Sequence, residues 1–175
     1  MNILVTGLMG SGKSTQAKLL ADKLNLCFLR TGDVLREIAK KDTPKGREVK
    51  ESLDKGLMVD DAIVANLIKE RLSQDDAKNG FVSDSYPRHL VQIDYFDPNL
   101  DVIFFLNISP DRAKERLLAR GREDDREELI DFRHQTQGEK IIELVDFYKG
   151  KIPVHYINGE QEVEKVHQEI LSYLK

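Results

Sequence analysis

Residues 7 to 15, Gly7-Leu8-Met9-Gly10-Ser11-Gly12-Lys13-Ser14-Thr15, limit the choice of fold more than any other stretch, and they follow the apolar run Ile3-Leu4-Val5 directly. The pattern G-x-x-x-x-G-K-[ST] needs glycines so that backbone N–H groups can turn inward on a polyphosphate. It also needs a lysine to reach the terminal phosphates and a hydroxyl to help hold Mg²⁺. All three are present at the required spacing. Lys13 to Leu24 carries apolar residues at Ala17, Leu20, Ala21 and Leu24, the spacing of a helix whose N-terminus adds the positive end of its dipole. A strand, a glycine-rich loop and a helix in that order predict a parallel α/β sheet with a phosphate site at its edge.

The rest of the chain must supply that sheet, and 175 residues suffice for one domain with a sizeable core. The 27 basic and 31 acidic residues leave a net charge of −4, which argues against a nucleic-acid-coating protein. Cys27 is the only cysteine. It excludes an internal disulfide or a cysteine-rich zinc site, fits a reducing cytosol, and reads as core in Cys27-Phe28-Leu29. A first strand starting at residue 2 leaves no targeting segment ahead of it, so a cytoplasmic location is expected. The longest apolar run, Val102 to Leu106, has five residues, against the roughly 18 that a membrane span requires.

Further strands are read at Leu26 to Leu29, Gly80 to Asp84, Asp101 to Leu106 and Val154 to Ile157. Helices are expected at Val34 to Lys40, Pro44 to Lys55, Asp60 to Leu72, from Pro110 to Arg120, from Asp125 to Tyr148 and from about Gln161 to Leu174. Thr31 or Asp33 is the expected N-cap of the first of these, Asp60 or Asp61 of the third, and Gly56 the C-cap of the second. In the third, Ile63, Val64, Leu67, Ile68 and Leu72 form an apolar face. Asp125 with Glu128 has the spacing of a capping box, Gly138 is a weak point in the long helix, and Arg126 and Arg133 share its face. Five strands joined by right-handed helical crossovers give a three-layer α/β/α domain.

Ligands bind at the C-terminal edge of such a sheet, which makes Thr31, Asp33 and Asp84 candidates. Asp84, ending a strand beside the P-loop strand, is placed to hold Mg²⁺ through water, with Ser14 as the second metal-side oxygen. Arg120-Gly121-Arg122 lies in a turn, where helical i,i+4 pairing does not explain the arginines. Stabilising the spread charge of a phosphoryl group in transfer does. The four histidines, His89, His134, His155 and His167, have no metal-binding spacing and read as structural or solvated.

Six blocks in order make the chain resemble an adenylate kinase, or more broadly a short-lid nucleoside monophosphate kinase, over essentially its full length. They are Gly7 to Gln16; Thr31 to Arg36; Gly56 to Asp61; Asp84 to Arg88 with Gln92; Arg120 to Asp125; and Arg133. The resemblance implies reversible phosphoryl transfer from MgATP to AMP by a monomer that engages neither nucleic acid nor membrane. It implies that Gly10, Ser11, Gly12, Lys13, Ser14 and Thr15, with Arg120 and the backbone of Gln161, bind ATP. Thr31, Arg36, the backbone of Leu57, Met58 and Val59, Ser85, Tyr86, Pro87, Arg88, Gln92, Arg122 and Arg133 would bind the monophosphate, with Gln92 at the position that reads adenine in the family. Lys13, Arg36, Arg88, Arg120, Arg122 and Arg133 would be catalytic. The core would comprise 1–30, 61–119 and 134–175, the monophosphate-binding lobe about 31–60 and the lid about 120–133.

The chain departs from the family pattern at Ser14, where glycine is usual, and at Ser85, Tyr86 and His89 in the family's Asp-Gly-Phe-Pro-Arg-Thr motif. It lacks the longer, zinc-binding lid. Its P-loop also looks like that of shikimate kinases, without their other motifs. Two alternatives stay open at this point: a kinase for another small acceptor, and a nucleotide-dependent assembly factor on the same fold.

Overall fold

The computed structural model describes residues 1–55, 57–121 and 125–174. The Gly56 cap and Arg122 of the sequence reading lie outside the described residues. Five parallel strands, β1 (Asn2–Gly7), β2 (Cys27–Leu29), β3 (Phe81–Ser83), β4 (Val102–Asn107) and β5 (Val154–Asn158), form one sheet in the order β2-β3-β1-β4-β5. The register sets Ile3 between Val82 and Val102, and Leu4 between Ser83 and Ile103.

Successive side chains of a strand point to opposite faces, and here both faces are covered, so the strands read as continuous apolar runs. Leu4, Cys27, Leu29, Phe81 and Ile103 face one core cluster, which is closed by α4 (Asp61–Leu72) and α7 (Glu127–Tyr148). Ile3, Val5, Val82, Phe104 and Leu106 face the other, against α1 (Lys13–Leu24) and α8 (Val163–Ser172). The three-layer α/β/α prediction thus matches the molecule. Cys27 is buried, and burial raises its thiol pKa.

Between β2 and β3 the chain runs through α2 (Thr31–Ala39), α3 (Pro44–Asp54) and α4. Thr43 caps α3 by accepting the N–H of Gly46 at 3.0 Å, and Asp60 caps α4 by accepting from Ala62 and Ile63. Val64, Leu67 and Ile68 of the expected apolar face are buried, and Ile63 and Leu72 pack partly against the same cluster. No described helix is long and apolar enough to cross a membrane.

Two caps differ from expectation. The α2 helix starts at Thr31 with Arg30 as N-cap and no side-chain cap bond, because the Asp33 carboxylate is taken by Arg30 and Arg36. The α7 helix starts at Glu127 with Arg126 as N-cap, because Asp125 instead pairs with Arg120. A two-point ion pair between a guanidinium and a carboxylate is stronger than a single cap bond. Arg126 therefore precedes the helix instead of sharing a face with Arg133. The α7 helix continues through Gly138 without interruption. The short α5 (Leu90–Tyr95) and a single 3₁₀ turn at Asp75–Ala77 went unforeseen, both too short to carry a periodic signal. The α6 helix (Pro110–Arg120) ends at Gly121 in the left-handed region, as the turn reading required.

Candidate active site

All five strands are parallel, so their C-terminal ends share one edge. From that edge emerge the P-loop after β1, Arg30 and Thr31 after β2, Asp84 to Arg88 after β3, and Gly159 to Gln161 after β5. The central strand β1 has β3 on one side and β4 on the other, and its loop opens where the chain leaves in opposite directions, the usual crevice of open α/β sheets.

Gly10 has φ +88°, and a Cβ there would sit 2.3 Å from the carbonyl oxygen of Ala113 on α6. Only glycine permits both the conformation and the close approach. Replacing Gly10 with Ala is expected to cost about 3 kcal/mol of stability, from positive φ together with overpacking. Denaturant unfolding of Gly10→Ala beside the wild type measures it, and an unchanged midpoint refutes it. Gly12, at φ +89°, is the N-cap of α1 without any side-chain cap bond, and no acidic residue stands in the first turn. The orphan N–H groups of that turn suit an anion. Ser11 Oγ is buried, with no hydrogen-bond partner among the described residues.

Lys13 is half-buried and donates to the Leu8 carbonyl at 3.2 Å. It lines one cleft with Asp84, Ser85, Arg88, Arg133 and His134. Burial and then Arg88 lower its pKa from 10.5 to about 8, while Asp84 pulls the other way. Burial likewise lowers the pKa of Arg88, with Asp84 opposing and Arg133 reinforcing. Three cations therefore converge beside one carboxylate. Lys13 and Arg88 cost solvation energy in the ligand-free protein, which an entering polyanion offsets.

Asp84 is 3% exposed. Ser14 Oγ donates to its Oδ2 at 2.5 Å, Ser85 Oγ donates to its Oδ1 at 2.7 Å, and Arg30 stands 3.8 Å away. Both serines are departures from the family pattern, and both end on this carboxylate. Ser14 and Asp84 are hard oxygen donors next to the phosphate loop, a set that suits Mg²⁺ carried in on a polyphosphate. Among the described residues no cluster of three or more His, Cys, Asp or Glu could form an all-protein metal cage.

The remaining candidates are spread along the same edge. Thr31 Oγ1 is buried without a hydrogen-bond partner among the described residues. Arg36 is exposed and paired with Asp33. Leu57 and Met58 are exposed, whereas Val59 is buried. Tyr86 is fully buried; its hydroxyl lies 3.1 Å from the Gln92 carbonyl and 2.8 Å from that of Phe96. Its ring thus belongs to the core and can only shape the loop from below. Pro87 is also buried. Arg120 donates to Asp125 through Nε at 2.8 Å and Nη2 at 2.5 Å.

A second cavity beside the P-loop is bounded by Ser11, Gly12, Thr15, Gln16, Arg116 and the Gly159 to Val163 segment. Gln161 borders it, its side chain turned to Glu169 at 2.7 Å, which leaves the backbone as the available surface. Two contacts escaped the sequence reading. His134 Nε2 donates to the Met9 carbonyl at 3.0 Å, tying α7 to the P-loop, and Arg116 donates to the Gly159 carbonyl at 2.7 Å. Arg116 lies on α6 one turn before Arg120, in the charge-dense stretch from Arg116 to Glu128. Nothing local distinguished His134.

The family model for adenylate kinase matches residues 5–152. An adenylate kinase of Corynebacterium urealyticum is 36% identical over 181 residues, covering 99% of each chain. Adenylate kinase 1 of a Nostoc species is 35% identical over 179 residues, covering 98% of this chain and 97% of its own. An adenylate kinase of Limosilactobacillus reuteri is 32% identical, covering 99% of this chain and 98% of its own over 213 aligned positions, so that relative carries segments this one lacks. The phosphate loop, the strand-end acid and the facing cations thus sit in a chain that such enzymes match from end to end: it belongs to the adenylate kinase family.

Proposed function

We propose that the protein transfers the terminal phosphoryl group of MgATP to AMP, reversibly, giving two ADP. The observation that carries this reading is the convergence of Lys13, Arg88 and Arg133 on one cleft between the P-loop and the loop after β3. The second cavity, on the other side of the P-loop near Gln161, has room for the base of the donor nucleotide. A monophosphate held by Arg88 and its neighbours would face the donor's terminal phosphate across Lys13.

The acceptor is itself a phosphate oxygen, already anionic, so no strong general base is required. Catalysis then rests on alignment and on neutralising the charge spread over the transferred group. Lys13, Arg36, Arg88, Arg120, Arg122 and Arg133 are the residues assigned to that task. When bound, Mg²⁺ would screen the donor phosphates and be held by Ser14 and, through water, by Asp84. The lobe of about residues 31–60 and the short lid of about 120–133 would close over the cleft. Closure excludes the water that would otherwise hydrolyse ATP.

The net charge of −4 supports free nucleotides over nucleic acid as ligands. We read the protein as a cytoplasmic monomer. A coupled assay across AMP, dAMP, CMP, UMP, GMP and shikimate tests the acceptor. AMP as the best acceptor is the expected result. Turnover of another acceptor without AMP contradicts it, and acceptor-independent ATP hydrolysis points to an assembly factor.

A further inference from the structure

Gln92 is 3% exposed, and both ends of its side-chain amide are engaged. Its Oε1 accepts the backbone N–H of Arg88 at 2.8 Å, and its Nε2 donates to Asp61 Oδ1 at 2.9 Å. The same Asp61 oxygen lies 3.2 Å from Nε2 of His89, a residue 8% exposed. A backbone N–H only donates and an ionised carboxylate only accepts, so the amide cannot turn over without losing both bonds. An amide has two N–H protons and two oxygen lone pairs. Those two bonds use one of each, leaving one N–H and one lone pair in a fixed order.

That order matters for a purine. A 6-aminopurine presents an amino donor beside the N1 acceptor, whereas a 6-oxopurine presents a carbonyl acceptor beside an N1–H donor. One amide orientation suits the first pattern and the opposite orientation the second. His89 adds a second donor to the carboxylate that sets this choice. Burial, helped by Lys140 and Arg88 and opposed by Asp61, lowers the His89 pKa, so the imidazole is neutral at pH 7 with Nε2 as its donor.

We propose that Asp61 and His89 are positioning residues that lock the Gln92 amide in one orientation. The lock makes the acceptor site select a 6-aminopurine monophosphate over a 6-oxopurine one. This rests on the nucleotide kinase reading above. Neither residue need touch the substrate; both act through Gln92.

The test is steady-state kinetics of the full-length chain at saturating MgATP with AMP and IMP, which differ at this edge of the base. Asp61→Asn keeps the shape but can donate as well as accept, so it removes the preference at one end of the amide and leaves the Arg88 N–H to hold its direction at the other. It is expected to raise KM for AMP about tenfold and to lower the AMP-to-IMP ratio of kcat/KM at least tenfold, with KM for ATP unchanged. His89→Ala should shift the ratio in the same direction by about threefold, and His89→Gln, which keeps a donor near Nε2, should restore it. An unchanged ratio in Asp61→Asn, or an equal loss with both acceptors, overturns the proposal. If Asp61→Asn fails to fold, the His89 pair decides: a shift in Ala that Gln reverses supports the lock, and no shift refutes it. A wild type that uses AMP and IMP equally overturns the lock and leaves the kinase reading intact, whereas a wild type inert toward every nucleoside monophosphate contradicts both.

Discussion

Lys13→Ala is expected to lower kcat on the order of 10³-fold, about 4 kcal/mol of transition-state stabilisation, while the protein stays folded. The loss is large because Lys13 is half-buried in the cleft, where a cation acts on a phosphoryl group with little screening by water. The fold is spared because the ammonium makes one backbone hydrogen bond, to Leu8, and is disfavoured by burial. The sign follows from its pKa, lowered from 10.5 to about 8. Below pH 8 the folded protein carries the full cost of the buried ammonium, and this cost fades as pH rises toward 10.5. Removing the side chain is therefore neutral or stabilising at pH 7. The same titration predicts that MgATP affinity is flat below pH 7.5 and weakens above pH 8, with proton uptake on binding. Calorimetry in buffers of different ionisation enthalpy reads that uptake, which should vanish in Lys13→Ala. Near-normal turnover in Lys13→Ala overturns the assignment.

Arg88→Ala should lower kcat/KM for AMP by about 10³-fold with KM for ATP within a few-fold of the wild type. Arg88 is a desolvated cation of the loop that follows β3, and Asp84 offsets part of that cost. A guanidinium held in this way is poised for an incoming phosphate, which it can meet with two parallel hydrogen bonds. Arg88→Lys should rescue little, because an ammonium cannot reproduce that fork. Thermal melting supplies a second readout. The ligand-free Arg88→Ala protein should melt no lower than the wild type, since a desolvated charge that Asp84 offsets only in part has gone. AMP should raise the melting temperature of the wild type only. Equal losses toward ATP and AMP would place Arg88 on the wrong nucleotide.

Much of this was legible in the sequence because the signals are local. The P-loop is nine consecutive residues, and the strands are buried on both faces, so they read as short apolar runs between glycines and polar ends. Asp84 and Ser14 read as a pair from the sequence because the residue after β3 and the first turn after the P-loop share one sheet edge, and their side chains do touch. What escaped depends on distant partners. Asp125 has capping-box spacing, yet Arg120 takes its carboxylate, and no local pattern ranks those two options. Tyr86 looks like a ligand contact in its motif, but the Gln92 and Phe96 carbonyls draw its hydroxyl into the core. His134 meets Met9 across 125 positions. The lock on Gln92 needs Asp61 from a different helix, which is why a lone glutamine could be assigned to a base and not given an orientation.

The two-nucleotide site is tested most directly by following the wild-type protein with MgATP and AMP by phosphorus NMR. The expected result is two ADP formed for each ATP consumed, and ATP loss slower by about 10³-fold when AMP is omitted. Orthophosphate released at the same rate with or without AMP would contradict phosphoryl transfer between two bound nucleotides.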